Sequence, residues 1–124
     1  MNYLVGDIGN TFIKISILNN NFKIKKSYNL ETRKIYQKIY KEKFLNKFKK
    51  KNLYRKVLFS SVVPKAYKII KNNLSKNKFS ILDIKEIDIK KIIKINVKNY
   101  NQLGSDRISN AIGSLKYNNS IIID

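Results

Sequence analysis

The stretch Thr11–Leu18, "TFIKISIL", sets Ile13, Ile15 and Ile17 at every second position, with Lys14 and Ser16 between them. Only extended chain repeats with a period of two, so the segment reads as a strand with one apolar and one polar face. A short apolar run over 3–8 precedes it and ends at a Gly-Asp-Ile-Gly turn. After the "NNN" turn at 19–21, "FKIKKSY" alternates again through Phe22 and Ile24. The opening is expected to be three antiparallel strands joined by tight turns. The period then changes. Across 31–51, Ile35, Ile39 and the pairs Tyr36–Tyr40 and Phe44–Phe48 recur at helical spacing, which predicts an amphipathic helix covering the sheet, with Glu31 in its first turn. Residues 56–64 read as a buried strand stopped by the sole Pro, with a helix over 65–74. Short strands are expected at 79–84 and 92–97, and a helix from Ser105 to about Lys116. "IIID" at 121–124 looks like the start of one more buried strand. Strands interleaved with helices place the chain in the α/β class with a mixed sheet.

At 124 residues the chain fits one domain able to bury most of its apolar surface. It has no Cys and no His, which excludes disulfides, thiolate metal sites and imidazole acid–base chemistry. Carboxylates, Lys, Tyr, Ser, Thr or an oxygen-held metal must do any chemistry. The net charge of +19 would suggest a polyanion partner, but all 27 basic residues except Arg33, Arg55 and Arg107 are Lys. Lys, Ile, Asn and Tyr are all abundant and all have A/T-rich codons. Compositional bias and a solvated Lys surface therefore explain the charge better than a nucleic-acid site, for which guanidinium is the preferred group. No run reaches the roughly 20 apolar residues of a membrane span. "MNYLVGDIGN" has no basic segment followed by an apolar stretch, so a cytoplasmic protein is expected.

Acids are scarce, 8 in all, and two of them, Asp7 and Asp106, fall within two residues of a glycine. In "DIGNT" (7–11), a hairpin turn with Gly9 lets backbone approach a ligand, and the amides of Gly9, Asn10 and Thr11 can form an anion nest. Asp7 can hold Mg²⁺ directly or through water, and Lys14 can reach the same anion if its face looks into a cleft. A plain Asp-Gly hairpin accounts for the same residues. In "LGSDR" (103–107), Ser105 as helix cap would put Asp106 and Arg107 in the first turn, with Asn110 one turn above. The positive end of the helix dipole favours the Asp106 carboxylate. A cap ion pair without further role is the alternative. "SSVVP" at 60–64 would end a central strand with Ser61, Val62 and Val63 facing the cleft, or be no more than a strand stopped by Pro64.

The "DIGNT" hairpin resembles the first phosphate motif of the actin-like sugar-kinase and Hsp70 ATPase superfamily. With "SSVVP" and "LGSDRISNAIGSLKYNNSIIID" (103–124) following in order, the chain resembles the type III pantothenate kinases over the N-terminal half of their usual length. The resemblance implies an actin-like (ribonuclease H-like) lobe over 1–118, carrying the first phosphate motif and the pantothenate site, and over 119–124 the first strand of a second lobe. It implies ATP-dependent phosphorylation of pantothenate to 4′-phosphopantothenate, the first step of coenzyme A synthesis. Asp106 would be the base, acting on the substrate hydroxyl late in a loose transition state. Asp7, Gly9, Asn10, Thr11 and Lys14 would serve ATP, with Mg²⁺ at Asp7. Gly104, Ser105, Asp106, Arg107, Val62, Val97 and Tyr100 would serve pantothenate. Asp124 would help hold a monovalent cation, K⁺ or NH₄⁺. The full-length protein would be a homodimer, and these residues alone inactive, since ATP must be clamped between two lobes. Two positions depart from the family: Asn99-Tyr100 stands where an Asn-Pro pair is usual, and Val97 where a pantothenate-contacting Tyr is found. A non-catalytic accessory relative and a basic nucleic-acid-binding module are the rival readings.

Overall fold

The opening alternation becomes three strands, β1 (Tyr3–Ile8), β2 (Phe12–Leu18) and β3 (Ile24–Glu31), in a computed structural model that describes residues 1–49, 52–117 and 119–123. They pair antiparallel, with Ile8 opposite Ile13 beside the first turn and Asp7 opposite Lys14. The chain then crosses over twice. β4 (Lys56–Ser61) pairs parallel with β1, and β5 (Ser80–Asp83) pairs parallel with β4. The sheet is mixed and five-stranded, in the order β3-β2-β1-β4-β5.

Among the described residues three α-helices pack on it: α1 (Lys38–Leu45), α2 (Pro64–Ser75) and α3 (Ser105–Gly113). One sheet face carries Leu4, Ile8, Ile13, Ile15, Ile17, Val57, Phe59 and Ile81. These join Phe44, Leu45, Ala66, Ile70 and Leu74 from α1 and α2 in a single buried core. Pro64 begins α2 as well as ending the strand segment, since the first helical position has no use for an N–H. A smaller cluster of Ile84, Ile89 and Ile108, with Ile95, Tyr100 and Leu103 against it, seats α3.

Several expectations need correction. Gly6, Asp7 and Ile8 belong to β1 and not to the turn. Phe22 lies in the second turn with φ 57°, a left-handed conformation, and with Ile24 is exposed. The segment 31–51 is not one helix. Glu31 ends β3, and a 3₁₀ turn over Thr32–Tyr36 is broken by extended Gln37 before α1 begins. The break shifts the helical phase, so Ile35, Phe44 and Phe48 are buried while Ile39 is 78% exposed. Residues 92–97 form no strand; Ile95 packs against the α3 cluster instead of finding a ladder. Residues 121–123 likewise pair with nothing described, and Ile121 and Ile123 are 92% and 93% exposed, not buried. A strand needs neighbouring backbone as well as apolar side chains.

Candidate active site

The sheet face opposite α1 and α2 forms the floor of a cavity of about 450 Å³. Strand alternation puts Val5 and Asp7 of β1, Lys14 and Ser16 of β2, and Leu58 and Ser60 of β4 on this floor. Asp106, Ser109 and Asn110 of α3 line it from above. Asp7 stands near the carboxyl end of β1, beside Ser60 on parallel β4, the kind of place where α/β sheets bind ligands. Lys14 faces the cavity.

The electrostatics centre on Asp7. Partial burial pushes its carboxyl above the ordinary Asp value; the Asp106 carboxylate adds to this, and Lys14 opposes it. Two carboxylates drawn from opposite ends of the sequence thus repel across one cleft. A divalent cation between them would relieve that repulsion, so the donor set fits Mg²⁺. Among the described residues no cluster of three or more acidic ligands exists. The Ser60 hydroxyl oxygen is buried beside Asp7 without a hydrogen-bond partner among the described residues.

Gly104, not Ser105, is the N-cap of α3. A Cβ at Gly104 would collide with Asp106 Oδ1, and Val62 Cγ1 borders the same spot, so only Gly leaves the carboxylate its place. Asp106 Oδ1 accepts the Arg107 N–H at 2.8 Å. Asp106, Ser109 and Asn110 share one helix face at i, i+3 and i+4.

The first turn is tied internally. The Gly9 N–H donates to the Phe12 carbonyl at 2.9 Å, so this amide is committed within the turn. Thr32 clamps the turn from the start of the 3₁₀ segment. Its hydroxyl donates to the Gly9 carbonyl at 2.7 Å and its N–H to the Thr11 carbonyl at 2.9 Å. Asn10 and Thr11 are exposed, and their amides have no partner among the described residues. Any anion nest therefore rests on these two.

The structure gathers Asp7, Lys14 and Asp106 into the cavity but places other expected residues elsewhere. Arg107 is exposed on α3 outside the cavity lining. Ser105 is buried, and its hydroxyl donates to Asp83 at 2.7 Å. Ser61 gives its N–H to Asp83 and Val63 packs on the main core, so Ser60 and not Ser61 to Val63 lines the cleft. Tyr100 lines a separate cavity with Ile89, Ile93 and Ile95, and Val97 is exposed. Asp124 lies outside the described residues. Two residues escaped the sequence reading. Ser60 could have been found from the alternation of β4. Asp83 could have been found as the first residue of "DIKE", a capping-box pattern that the structure forms with Glu86.

Comparison with known proteins agrees with the motifs. The family model for type III pantothenate kinase matches residues 3–124. A type III pantothenate kinase of Pelagibacter ubique (strain HTCC1062) is 39% identical over 121 residues, covering 97% of this chain. The chain spans 48% of that relative's length, about half. It belongs to the type III pantothenate kinase family.

Proposed function

We propose that the intact protein transfers the γ-phosphoryl of ATP to pantothenate, giving 4′-phosphopantothenate for coenzyme A synthesis. We read residues 1–118 of the sequence as its N-terminal, actin-like lobe, with 119–124 opening a second lobe. The strand order, with antiparallel β1 to β3 followed by two parallel crossovers, supports the actin-like assignment. The observation that carries the function is the meeting of Asp7, Lys14 and Asp106 in one cleft at the carboxyl end of β1.

In this reading Lys14 and the free amides of Asn10 and Thr11 bind phosphate oxygens, and the Gly9 turn holds those amides in place. Asp7 holds Mg²⁺ directly or through water; when bound, the ion supplies charge neutralisation to the phosphates. Asp106 orients the pantothenate hydroxyl and accepts its proton. Gly104 leaves the space its carboxylate needs. Val62 borders the Gly104 end of the cleft, beside Asp106, whereas Arg107, Val97 and Tyr100 lie outside this cavity and carry no part of this reading. Asp124 contributes to a K⁺ or NH₄⁺ site, and the full-length protein is a cytoplasmic homodimer.

The test is 4′-phosphopantothenate formation by the full-length protein with ATP, Mg²⁺, K⁺ and pantothenate. Asp106→Asn is expected to lower kcat by about 10²- to 10⁴-fold while leaving the circular dichroism spectrum unchanged. Ligand binding without product in the parent protein would overturn the kinase reading in favour of a non-catalytic relative.

A further inference from the structure

We propose that Asp83 is a positioning residue for Asp106, setting the gap between the floor and the roof of the cleft. The inference rests on the kinase reading of that cleft. Asp83 ends β5 and is buried, at 8% exposure. In a chain with 27 basic residues, none of those described forms an ion pair with it. Three neutral donors satisfy it instead. Oδ2 accepts the Ser61 N–H at 2.9 Å, and Oδ1 accepts the Ser105 hydroxyl at 2.7 Å and the Lys85 N–H at 2.9 Å.

Two of those donors come from the two walls of the site, and the third, the Lys85 N–H, from the turn that Asp83 itself caps. Ser61 follows Ser60, which lies on the cleft floor beside Asp7. Ser105 precedes Asp106, which lies on the roof. One rigid carboxylate therefore fixes the end of β4 against the start of α3. Its own pose is fixed in turn, since Glu86 accepts the Asp83 N–H at 2.9 Å and is gripped by Lys71 at 3.2 Å from α2. α3 has no side-chain cap at Gly104, so the Ser105–Asp83 bond takes over the anchoring that a cap would provide. A buried carboxylate held by neutral donors alone is costly to rearrange, which makes the latch stiff.

Asp83→Asn risks the fold, so the decisive variants are Ser105→Ala, which cuts only the bond to α3, and Ser105→Thr, which keeps a hydroxyl there. Amide hydrogen exchange on the full-length protein decides whether the latch exists, independently of turnover. The Ile108 N–H, bonded to the Gly104 carbonyl at 3.2 Å, reports on the first turn of α3. Ser105→Ala is expected to speed its exchange about tenfold, with β1 amides unchanged and Ser105→Thr close to the parent. Uniform acceleration in β1 and α3, or none in α3, would overturn the proposal. In the full-length protein, Ser105→Ala should lower kcat by roughly ten- to a hundredfold, leave KM for ATP unchanged, and be rescued by Ser105→Thr. A parent that turns over and a Ser105→Ala variant with unaltered kcat also overturn it. A parent without any turnover counts against the kinase reading, and the exchange result still decides the latch.

Discussion

Asp7 is a liability to the fold at neutral pH. Burial and the facing Asp106 carboxylate raise its pKa in the folded chain above the ordinary 3.8, so the folded state holds its proton more tightly than the unfolded state does. Its contribution to stability is full below that ordinary value and is lost as pH rises through the folded value. At neutral pH the ionised group destabilises. Asp7→Asn is therefore expected to raise the thermal midpoint at pH 7 by a few degrees at most, since solvent screens the exposed part of the carboxylate. The gain should vanish near pH 3, and thermal melts at the two pH values check it. The flanking glycines serve unlike ends, although the sequence presents them as a pair. Gly6 exists because the Phe59 ring lies across β1, where a Cβ would fall inside the ring. Gly9 has no positive φ; what it needs is room beside the Phe12 carbonyl, 3.3 Å from where a Cβ would sit. Lys14 was legible in the sequence because strand alternation fixes which way it points; Asp7 stands out beside a glycine but reads as part of the turn, when it is the pairing of β1 that sets its direction. The partners of Ser105 were not, because they depend on where β5 lands.

The same divide separates the elements. β1 and β2 could be read from their residues, since a half-buried strand in a local hairpin carries its whole signal in its own alternation. The segment after β3 could not, because two apolar patterns meet at Gln37 and merge into one apparent helical stripe. The structure gives them separate outcomes, with Ile35 buried before the break and Phe44 after it. Urea unfolding distinguishes one helix from two pieces. Phe44→Ala should cost about 3–5 kcal/mol as a buried aromatic lost from the core. Ile39→Gln should stay within about 0.5 kcal/mol, as an exposed position does. A continuous helix with Ile39 in its stripe would make the second change costly as well. Residues 92–97 and 121–123 show the opposite failure. Their apolar runs are genuine, but no described strand offers them a ladder.

For the whole molecule, the charge of +19 is spread and partly used. Lys26 and Lys47 lie over the Tyr28 ring, Lys34 over Tyr40 and Lys71 over Tyr67, so several stems cover aromatic surface on different elements. The cleft itself pairs two acids with one Lys. Duplex DNA binding is accordingly expected to be weak and gone by about 0.2 M salt. A fluorescence-anisotropy titration with salt checks it, and tight binding that survives there would restore the nucleic-acid reading. Among the described residues no helix is long and apolar enough to cross a membrane. The latch at Asp83 also dictates an order in time. β1, β2 and β3 join through hairpins that close within microseconds, which sets Asp7 opposite Lys14 early. The parallel pairing of Val5 with Leu58 must wait for a much longer loop to close, and β5 follows it. α3 lacks its polar anchor until both the end of β4 and Asp83 are in place, whatever the apolar cluster around Ile108 contributes earlier. In pulse-labelled refolding, β1 and β2 amides should gain protection before the Ile108 amide, and simultaneous protection would contradict this order. Of the two carboxylates that face each other across the cleft, one is set at the start of folding and the other arrives last.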